Sequence, residues 1–289
     1  SLYILKEQYY YFWDYANYFQ QTNDLIIQLQ KSPLEAAVTF LLSLFDDYTQ
    51  IPLIPILPFR LLLGPSRLGF ILSLALAHII PFCLAMGAIA TQVIPARPRT
   101  IFWLTVFATL LMPPVWIPVF RGFPDIGGAT LLMLATLFYW QDVNLEHRRQ
   151  IKHIAIFLAL AVLFRRHFIY EVRVFLVSIV TYNILIYLPG LRNNFRQTWP
   201  YLRHLFWRVG HIALLFAIFT VIVLIKALFI NYRVLYASYE MSSGENFLYY
   251  GQAYGWIPWG LALLGFIWGC FERSLFQPTL RFIALFGTL

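Results

Sequence analysis

Long apolar runs, separated by short polar connections, dominate the hydropathy pattern of this chain. A transmembrane helix needs roughly 20 mainly apolar residues, and runs close to that length occur at seven places. The predicted spans are about 67–92, 101–119, 126–142, 151–164, 168–189, 209–232 and 255–271. The pattern therefore predicts an all-α fold, in which residues 67–289 form a polytopic transmembrane bundle of about seven helices.

The composition supports a membrane protein. Hydrophobic residues make up 60% of the 289 residues and charged residues 12%, whereas a soluble globular domain has about 25% charged residues. The mean hydropathy is +0.68. Because a water-soluble fold of this length cannot hide so much apolar surface, lipid is the expected solvent. The formal charge of +8 comes from short basic runs between apolar segments, so we expect no nucleic-acid partner.

The basic runs also indicate how the spans are oriented, because cytoplasmic connections carry an excess of Lys and Arg. We place three basic connections inside: 96–99, 146–153 and 191–210. The alternate connections then lie outside: 1–66, 121–125, the region of Arg165 and about 233–254. Two crossings must separate the second and third inside connections. The sequence therefore predicts two short helices joined by a tight outer turn at Arg165-Arg166-His167.

Residues 1–66 are the unusual external segment. The orientation leaves these residues outside with no span before them, so we expect one further helix upstream of Ser1. We also expect more apolar chain beyond Leu289, because an apolar run begins at Arg281. The segment is aromatic and mixed in charge, is amphipathic near 24–30 and 34–46, and then becomes rich in proline. Proline disfavours a straight spanning helix. We interpret residues 1–66 as an ordered external loop that contains juxtamembrane helices lying on the membrane surface.

The first candidate for chemistry is Asp14, within the aromatic run Phe12-Trp13-Asp14-Tyr15-Ala16-Asn17-Tyr18. Aromatic neighbours at an interface partly desolvate a carboxylate, which tends to raise its pKa and suits a general base. The alternative is that Asp14 only caps a surface helix.

The second candidate is Asp125, in the short connection Arg121-Gly122-Phe123-Pro124-Asp125-Ile126-Gly127-Gly128. Proline and the two later glycines allow the backbone to turn sharply and to approach a ligand closely. The alternative is that Asp125 is the N-cap of the following helix.

Basic side chains at the predicted outer boundary are the third candidate. The pair Arg165 and Arg166 suits a phosphate or pyrophosphate group. Lys226 lies about two turns before the outer end of its predicted helix, and cations within a membrane are functional candidates by default. The alternative for all three is that long side chains reach the interface without a ligand.

Together these features resemble the membrane-embedded glycosyltransferases of the GT-C superfamily, which include protein O-mannosyltransferases and aminoarabinose transferases. In that family an external loop after the first helix carries an Asp in a Tyr-containing aromatic context, as the run from Phe12 to Tyr18 does here. A second acid lies in the next external loop, which Asp125 occupies if one helix precedes Ser1. The stretch Asp46-Asp47-Tyr48 and the turn from Arg165 to Tyr170 also resemble bacterial members.

The resemblance implies inverting transfer of a sugar from a polyprenyl-phosphate donor to a glycan, lipid or protein acceptor. Asp14 would act on the acceptor hydroxyl and Asp125 would assist, with a divalent metal ion (Mg or Mn) as a cofactor that these two carboxylates could share. Arg165, Arg166 and Lys226 would bind the donor phosphate. The resemblance also implies a multi-pass protein surrounded by membrane lipids, with its active face external or lumenal. We favour a bacterial inner membrane, and an endoplasmic reticulum membrane is the alternative.

Three other functions are alternatives at this level. A lipid or polysaccharide transporter or flippase would need a continuous polar path, whereas the polar residues here collect on one side. A polysaccharide polymerase or ligase would share the donor and the outer-face arginines but rely less on Asp14. A non-catalytic subunit of a membrane complex would need none of these residues. An assay for transfer from a lipid-linked sugar separates such a subunit from the enzymes.

Overall fold

The computed structural model describes residues 14–46, 48–229, 242–271 and 278–288. All regular structure in these residues is helical, and none of them lies in a strand, which confirms the all-α prediction for this part of the chain. The chain divides into two compact units. Unit 1 takes its residues from Ser1–Thr91, Ala96–Met133 and Leu160–Arg166, and unit 2 from Gln92–Pro95, Leu134–Ala159 and His167–Leu289. The predicted boundary between an external loop (residues 1–66) and a transmembrane bundle (residues 67–289) concerns membrane topology, and it stays a prediction.

Unit 1 contains four helices before residue 67 and further helices after it, among its described residues. They are α1 (Asp14–Lys31), α2 (Pro33–Ser43), a 3₁₀ helix (Ile51–Ile56), α3 (Leu57–Leu63), α4 (Arg67–Val93), α5 (Pro98–Leu111) and α6 (Pro113–Phe120). The unit also holds the first part of α7 (Asp125–Gln141) and the end of α8 (Arg148–Phe164). Its apolar core includes Leu25, Leu53, Phe70, Leu74 and Val119.

Short polar residues set where the first helices begin. The Ser32 hydroxyl accepts a hydrogen bond of 3.5 Å from the backbone N–H of Glu35, and Pro33 occupies the first turn of α2, where no N–H is needed. Ser66 caps α4 through the N–H of Gly69 at 3.1 Å. Gly64 ends α3 with φ at 79°, which favours glycine. These signals divide the described chain before Arg67 into separate helices.

α2 has an exposed apolar face. Leu34, Val38, Leu41 and Leu42 recur at three- and four-residue spacing and are all exposed, Leu34 by 78%. A contiguous apolar stripe on a surface helix is typical of a face that contacts lipid or a protein partner.

The span predicted at 101–119 is broken in the structure. α5 ends before Met112, and α6 continues at an angle of 50°. Met112 is extended, with ψ at 121°, because Pro113 disfavours helical backbone in the residue before it. Pro113 and Pro114 also lack the N–H groups that would continue the α5 hydrogen-bond ladder.

Unit 2 contains the last part of α7, most of α8 and the helices that follow. These are α9 (Phe168–Asn193), α10 (Phe195–Phe219), α11 (Val221–Phe229), α12 (Ser243–Tyr254), α13 (Trp256–Phe271) and α14 (Pro278–Thr288). α9 packs against α10 and α14, and α13 also packs against α14. The rings of Tyr139, Phe175 and Phe282 meet in the core, with the Phe282 centroid 4.7 Å from Tyr139 and 5.5 Å from Phe175.

The polar connection predicted at 191–210 is helical from Phe195 onward, so the predicted span at 209–232 is wrong in its limits. α10 ends at Phe219, and α11 follows after Thr220. The arginines of this stretch suggested a connection. However, buried Leu202, Leu205, Val209, Ile212 and Phe216 recur every three or four residues, so one apolar face continues through the basic region.

Three described helices are long and apolar enough to cross a membrane: Arg67–Val93, Phe168–Gly190 and Phe195–Phe219. The bent pair α5 and α6 makes a fourth if it counts as one span. The helices predicted at 126–142, 151–164 and 255–271 are present as α7, α8 and α13, with 17, 17 and 16 residues. As membrane crossings these three stay predictions.

Candidate functional site

Four segments of unit 1 meet at the side chain of Arg165, directly after α8. α1 contributes Tyr18, the connection after α2 contributes Tyr48, and the connection before α7 contributes Phe123, followed by Asp125 at the start of α7. We call these five residues the Arg165 cluster. The predicted break between two helices at this position is confirmed, since α8 ends at Phe164 and α9 begins at Phe168.

An ion pair connects Arg165 with Asp125. The Arg165 Nε lies 2.8 Å from Asp125 Oδ1, and the two side chains are 19% and 28% exposed. Partial burial makes such a pair stronger than a surface salt bridge, while the remaining exposure lets solvent or a ligand reach both groups. The structure thus joins a predicted catalytic acid to a predicted phosphate-binding arginine.

Aromatic rings surround the Arg165 guanidinium on several sides. Its Cζ lies 5.7 Å from the Tyr18 ring centroid, 5.9 Å from that of Tyr48 and 5.8 Å from that of Phe123. These are distances at which a cation is attracted to the ring faces. The Arg165 Nη1 also donates a 2.8 Å hydrogen bond to the Tyr18 hydroxyl. Tyr18 is only 1% exposed, so α1 holds this contact rigidly.

Two further contacts fix the turn after α8 to the connection after α2. Arg166 donates from Nη2 to the backbone carbonyl of Asp46. The Thr49 hydroxyl donates to the carbonyl of Leu163 at 2.6 Å, which satisfies one of the carbonyls that a helix end leaves without a partner. The position of Arg165 is therefore set by contacts on both sides of it in the sequence.

His78 lies next to Gly127, two residues after Asp125. It belongs to the π-helical turn of α4 and is 2% exposed, and its Nε2 lies 3.2 Å from the carbonyl of Pro52. Its ring packs edge-on against Phe164, at a centroid distance of 5.3 Å. A Cβ on Gly127 would lie 2.6 Å from His78 Nδ1 and 2.5 Å from Phe164 Cζ. Only glycine allows the start of α7 to approach this closely.

The function of the Arg165 cluster follows only from its own residues and contacts, since no compared protein matches the chain. Comparisons with protein-family models, with curated proteins and with solved structures give no match. The GT-C resemblance accordingly stays a prediction that rests on the sequence motifs.

The other predicted site residues lie at different places. Asp14 is the first residue of α1, four positions before Tyr18, and its side chain lies outside what the structure describes. Arg166 adjoins the cluster. Lys226 lies on α11 in unit 2. The structure thus brings Asp125 and Arg165 together, and places Asp14 one helical turn from a residue that contacts Arg165.

The described side chains do not form a metal site. No group of three or more His, Cys, Asp or Glu side chains among them could hold a metal ion, and Asp125 already faces a guanidinium. Positive charge 2.8 Å from one carboxylate oxygen opposes the binding of a second cation there. The predicted sharing of Mg or Mn by Asp14 and Asp125 stays a prediction, and no step below passes through a metal ion.

The sequence motifs include the aromatic members of the cluster, but the sequence assigned no role to Tyr18, Tyr48 or Phe123 themselves. Tyr18 stands four residues after Asp14, a spacing that places two positions on one helix face, and this signal could have identified it. Tyr48 follows the acidic pair, and Phe123 lies two residues before Asp125. Nothing in the sequence shows that all three surround the same arginine, because they come from separate segments.

Proposed function

We propose that this protein is an integral membrane glycosyltransferase, which moves a sugar from a polyprenyl-phosphate donor to an acceptor at the external face of a bacterial inner membrane. The observation that carries the proposal is the 2.8 Å pair of Arg165 and Asp125. The same arginine also donates a hydrogen bond to Tyr18, which lies on the helix that begins at Asp14. A carboxylate can orient a hydroxyl or accept its proton, and a guanidinium can stabilise the negative charge of a departing phosphate.

The proposed reaction exchanges one bond for another at the anomeric carbon. Asp14 accepts the proton of the acceptor hydroxyl as that oxygen forms a bond to the anomeric carbon. The bond from this carbon to the donor phosphate oxygen breaks, and its electron pair leaves with the lipid phosphate. Asp125, positioned by Arg165, orients the acceptor. Arg165 and Arg166 are proposed to offset the charge that develops on the phosphate. Lys226, in unit 2, stays a candidate from the sequence alone.

The exposed apolar surface of unit 1 supports a location at a membrane. The stripe on α2 and the exposed Leu61 and Leu62 on α3, at 60% and 83%, lie in the segment before the first candidate span. Apolar faces on short helices suit contact with lipid at the interface. We therefore propose that residues 1–66 form the external loop predicted from the sequence, with α2 and α3 on the membrane surface.

Transfer of labelled sugar from a polyprenyl-phosphate donor tests the function directly. Removal of a general base lowers the rate by about 10²- to 10⁴-fold, and we expect a loss of that size for Asp14→Asn. Asp24→Asn is the matched control, because Asp24 is an exposed carboxylate on the same helix. It should retain the wild-type rate.

Two outcomes would overturn the proposal or its central residue. Full activity in Asp14→Asn, with wild-type protein active, would exclude Asp14 as the base. No transfer by the wild type with any of several lipid-linked donors would favour a transporter, a flippase or a non-catalytic subunit. Movement of labelled donor across vesicles that contain the protein would then identify the transport function.

A further inference from the structure

The candidate span α4 contains a π-helical turn at Ala75–Ile79. The backbone N–H of Ile80 donates to the carbonyl of Ala75, five residues back instead of four. Pro81 follows directly and has no N–H for the carbonyl four residues before it, so the sequence itself disturbs the regular helix here. Turns of this kind often lie at functional sites. The buried His78 within the turn is therefore a candidate for a role in function.

The ring of His78 lies against both segments that carry the ion pair of the Arg165 cluster. It packs edge-on against Phe164, which directly precedes Arg165 in the sequence. Its Nδ1 lies 2.6 Å from the place that a Cβ on Gly127 would occupy, and Gly127 is two residues after Asp125. The distance between Asp125 and Arg165 therefore depends on where this ring lies.

A hydrogen bond to a third segment sets the orientation of the ring. The His78 Nε2 lies 3.2 Å from the carbonyl oxygen of Pro52, in the 3₁₀ helix Ile51–Ile56. A carbonyl can only accept a hydrogen bond, so Nε2 carries the hydrogen and donates it. The segment that holds Pro52 is itself fixed to α8, because the Thr49 hydroxyl donates to the carbonyl of Leu163. The ring thus has a fixed direction as well as a fixed position.

The alternative is that His78 only fills space in the core. An apolar side chain would fill this space at lower cost, because a buried imidazole loses its hydration and needs a hydrogen-bond partner. His78 combines two properties that leucine or phenylalanine cannot offer together. Its small flat ring fits beside Phe164 and Gly127, and its N–H reaches the carbonyl of Pro52. A positioning role uses both properties.

We infer that His78 is a positioning residue for Asp125 and Arg165. It sets the separation of the two charged side chains through its contacts with Gly127 and Phe164. The inference rests on the proposed function where it concerns sugar transfer, but the state of the ion pair is measurable without turnover. A displacement of about 1 Å at a reacting group can lower a rate by about 100-fold. His78 should therefore influence kcat far more than the affinity for the sugar donor.

Transfer of labelled sugar, with kcat and the KM for the lipid-linked donor measured separately, is the first test. His78→Leu keeps a buried apolar side chain but removes the hydrogen bond to Pro52. We expect kcat to fall by about tenfold to a hundredfold and KM to stay within about twofold of the wild-type value. His78→Gln keeps an N–H group on a side chain of similar length and should recover part of the lost rate.

A double-mutant cycle of His78→Leu with Asp125→Asn measures the same effect without turnover. Unfolding by SDS in mixed micelles gives the unfolding constant of each variant. We expect Asp125→Asn to raise this constant by less in the His78→Leu background than in the wild type, by a factor of about three to ten. The reason is that the 2.8 Å pair with Arg165 would already be weakened before the carboxylate is removed.

Ile89→Ala is the matched control. Ile89 is buried on the same helix, with 6% exposure, about three helical turns beyond His78. Its replacement by alanine should lower stability by leaving a cavity in the core. It should nevertheless keep the wild-type kcat and show no coupling with Asp125→Asn. The comparison separates a positioning role from a general loss of stability.

Three results would overturn the inference. A wild-type kcat in both His78 variants would show that the ring does not position the reacting groups. Additive effects in the cycle would show that the ion pair does not depend on the ring. An equal fall of kcat in Ile89→Ala would assign the effect to stability alone. Absence of transfer by the wild type would instead refute the proposed function, and the cycle would then decide the inference by itself. His78→Gln takes the place of His78→Leu in both measurements if the leucine variant does not fold.

Discussion

The contact between Arg165 and Tyr18 makes a quantitative prediction about stability. Tyr18→Phe removes the hydroxyl that accepts the 2.8 Å hydrogen bond but keeps the ring 5.7 Å from the guanidinium carbon. A hydrogen bond to a charged group contributes about 1.5–3 kcal/mol. Arg165 is 19% exposed, so water replaces part of this contact, and we expect a loss of about 1–2 kcal/mol.

Arg165→Gln should lower the free energy of unfolding by more than Tyr18→Phe does. This variant loses the ion pair with Asp125 and the three ring contacts together with the hydrogen bond. Each cation–π contact adds about 0.5–1 kcal/mol. Together with the hydrogen bond and the ion pair, the total loss should be at least about 3 kcal/mol. In the Arg165→Gln background the Tyr18 hydroxyl has lost the guanidinium that donates to it, so adding Tyr18→Phe should cost little more. The double-mutant cycle should therefore give a coupling free energy of about 1–2 kcal/mol.

Unfolding by SDS in mixed micelles, followed by far-ultraviolet circular dichroism, measures these differences. Tyr201→Phe is the control for loss of a tyrosine hydroxyl, since Tyr201 is 66% exposed on α10, and it should change the free energy of unfolding by less than about 0.5 kcal/mol. A coupling within about 0.3 kcal/mol of zero would refute the view that Tyr18 holds Arg165.

Two further predictions concern packing within unit 1 and are checked by the same titration. Gly127→Ala should lower the free energy of unfolding by about 1–3 kcal/mol, because the new methyl group would lie 2.5 Å from Phe164 and 2.6 Å from His78. In the matched control Gly210→Ala the new methyl group meets no atom within 4 Å, and the free energy of unfolding should rise by about 0.5–1 kcal/mol. A rise in both variants would contradict the close approach at Gly127. Arg60→Met should lower the free energy of unfolding by about 2–4 kcal/mol, because it leaves the carbonyls of residues 64 to 66 without donors. Arg60→Lys should give an intermediate loss. Wild-type stability of Arg60→Met would show that the guanidinium does not hold this turn.

The helical class and most helix positions could be predicted from the sequence, because apolar runs and proline positions act locally. The break between α8 and α9 is such a case, since Arg165-Arg166-His167 interrupts an apolar run. The start of α10 could not be found by counting charges. There the arginines occupy one side of a helix whose other side stays apolar from Leu202 to Phe216, and only periodicity reveals this.

The candidate site was less accessible to sequence reasoning. Asp125 and Arg165 were each singled out by residue type and local context, but their pairing joins positions 40 residues apart in the chain. Tyr18 lies 147 residues before Arg165. Which arginine meets which acid depends on how α1, α7 and α8 pack, and that packing follows from the apolar core rather than from the charged residues themselves.

The position of Arg165 changes how a loss of transfer in its variants should be interpreted. A phosphate ligand and a residue that holds Asp125 near α1 would both be inactivated by Arg165→Gln. Tyr18→Phe separates the two roles, since it removes a positioning contact and leaves the positive charge in place. If Arg165 acts mainly on the phosphate, donor affinity falls in Arg165→Gln and stays unchanged in Tyr18→Phe. If Arg165 mainly positions Asp125, kcat falls in both variants while the affinity for the donor stays unchanged. The geometry favours the second case, because Asp125, Tyr18 and three ring faces already occupy the surroundings of the guanidinium.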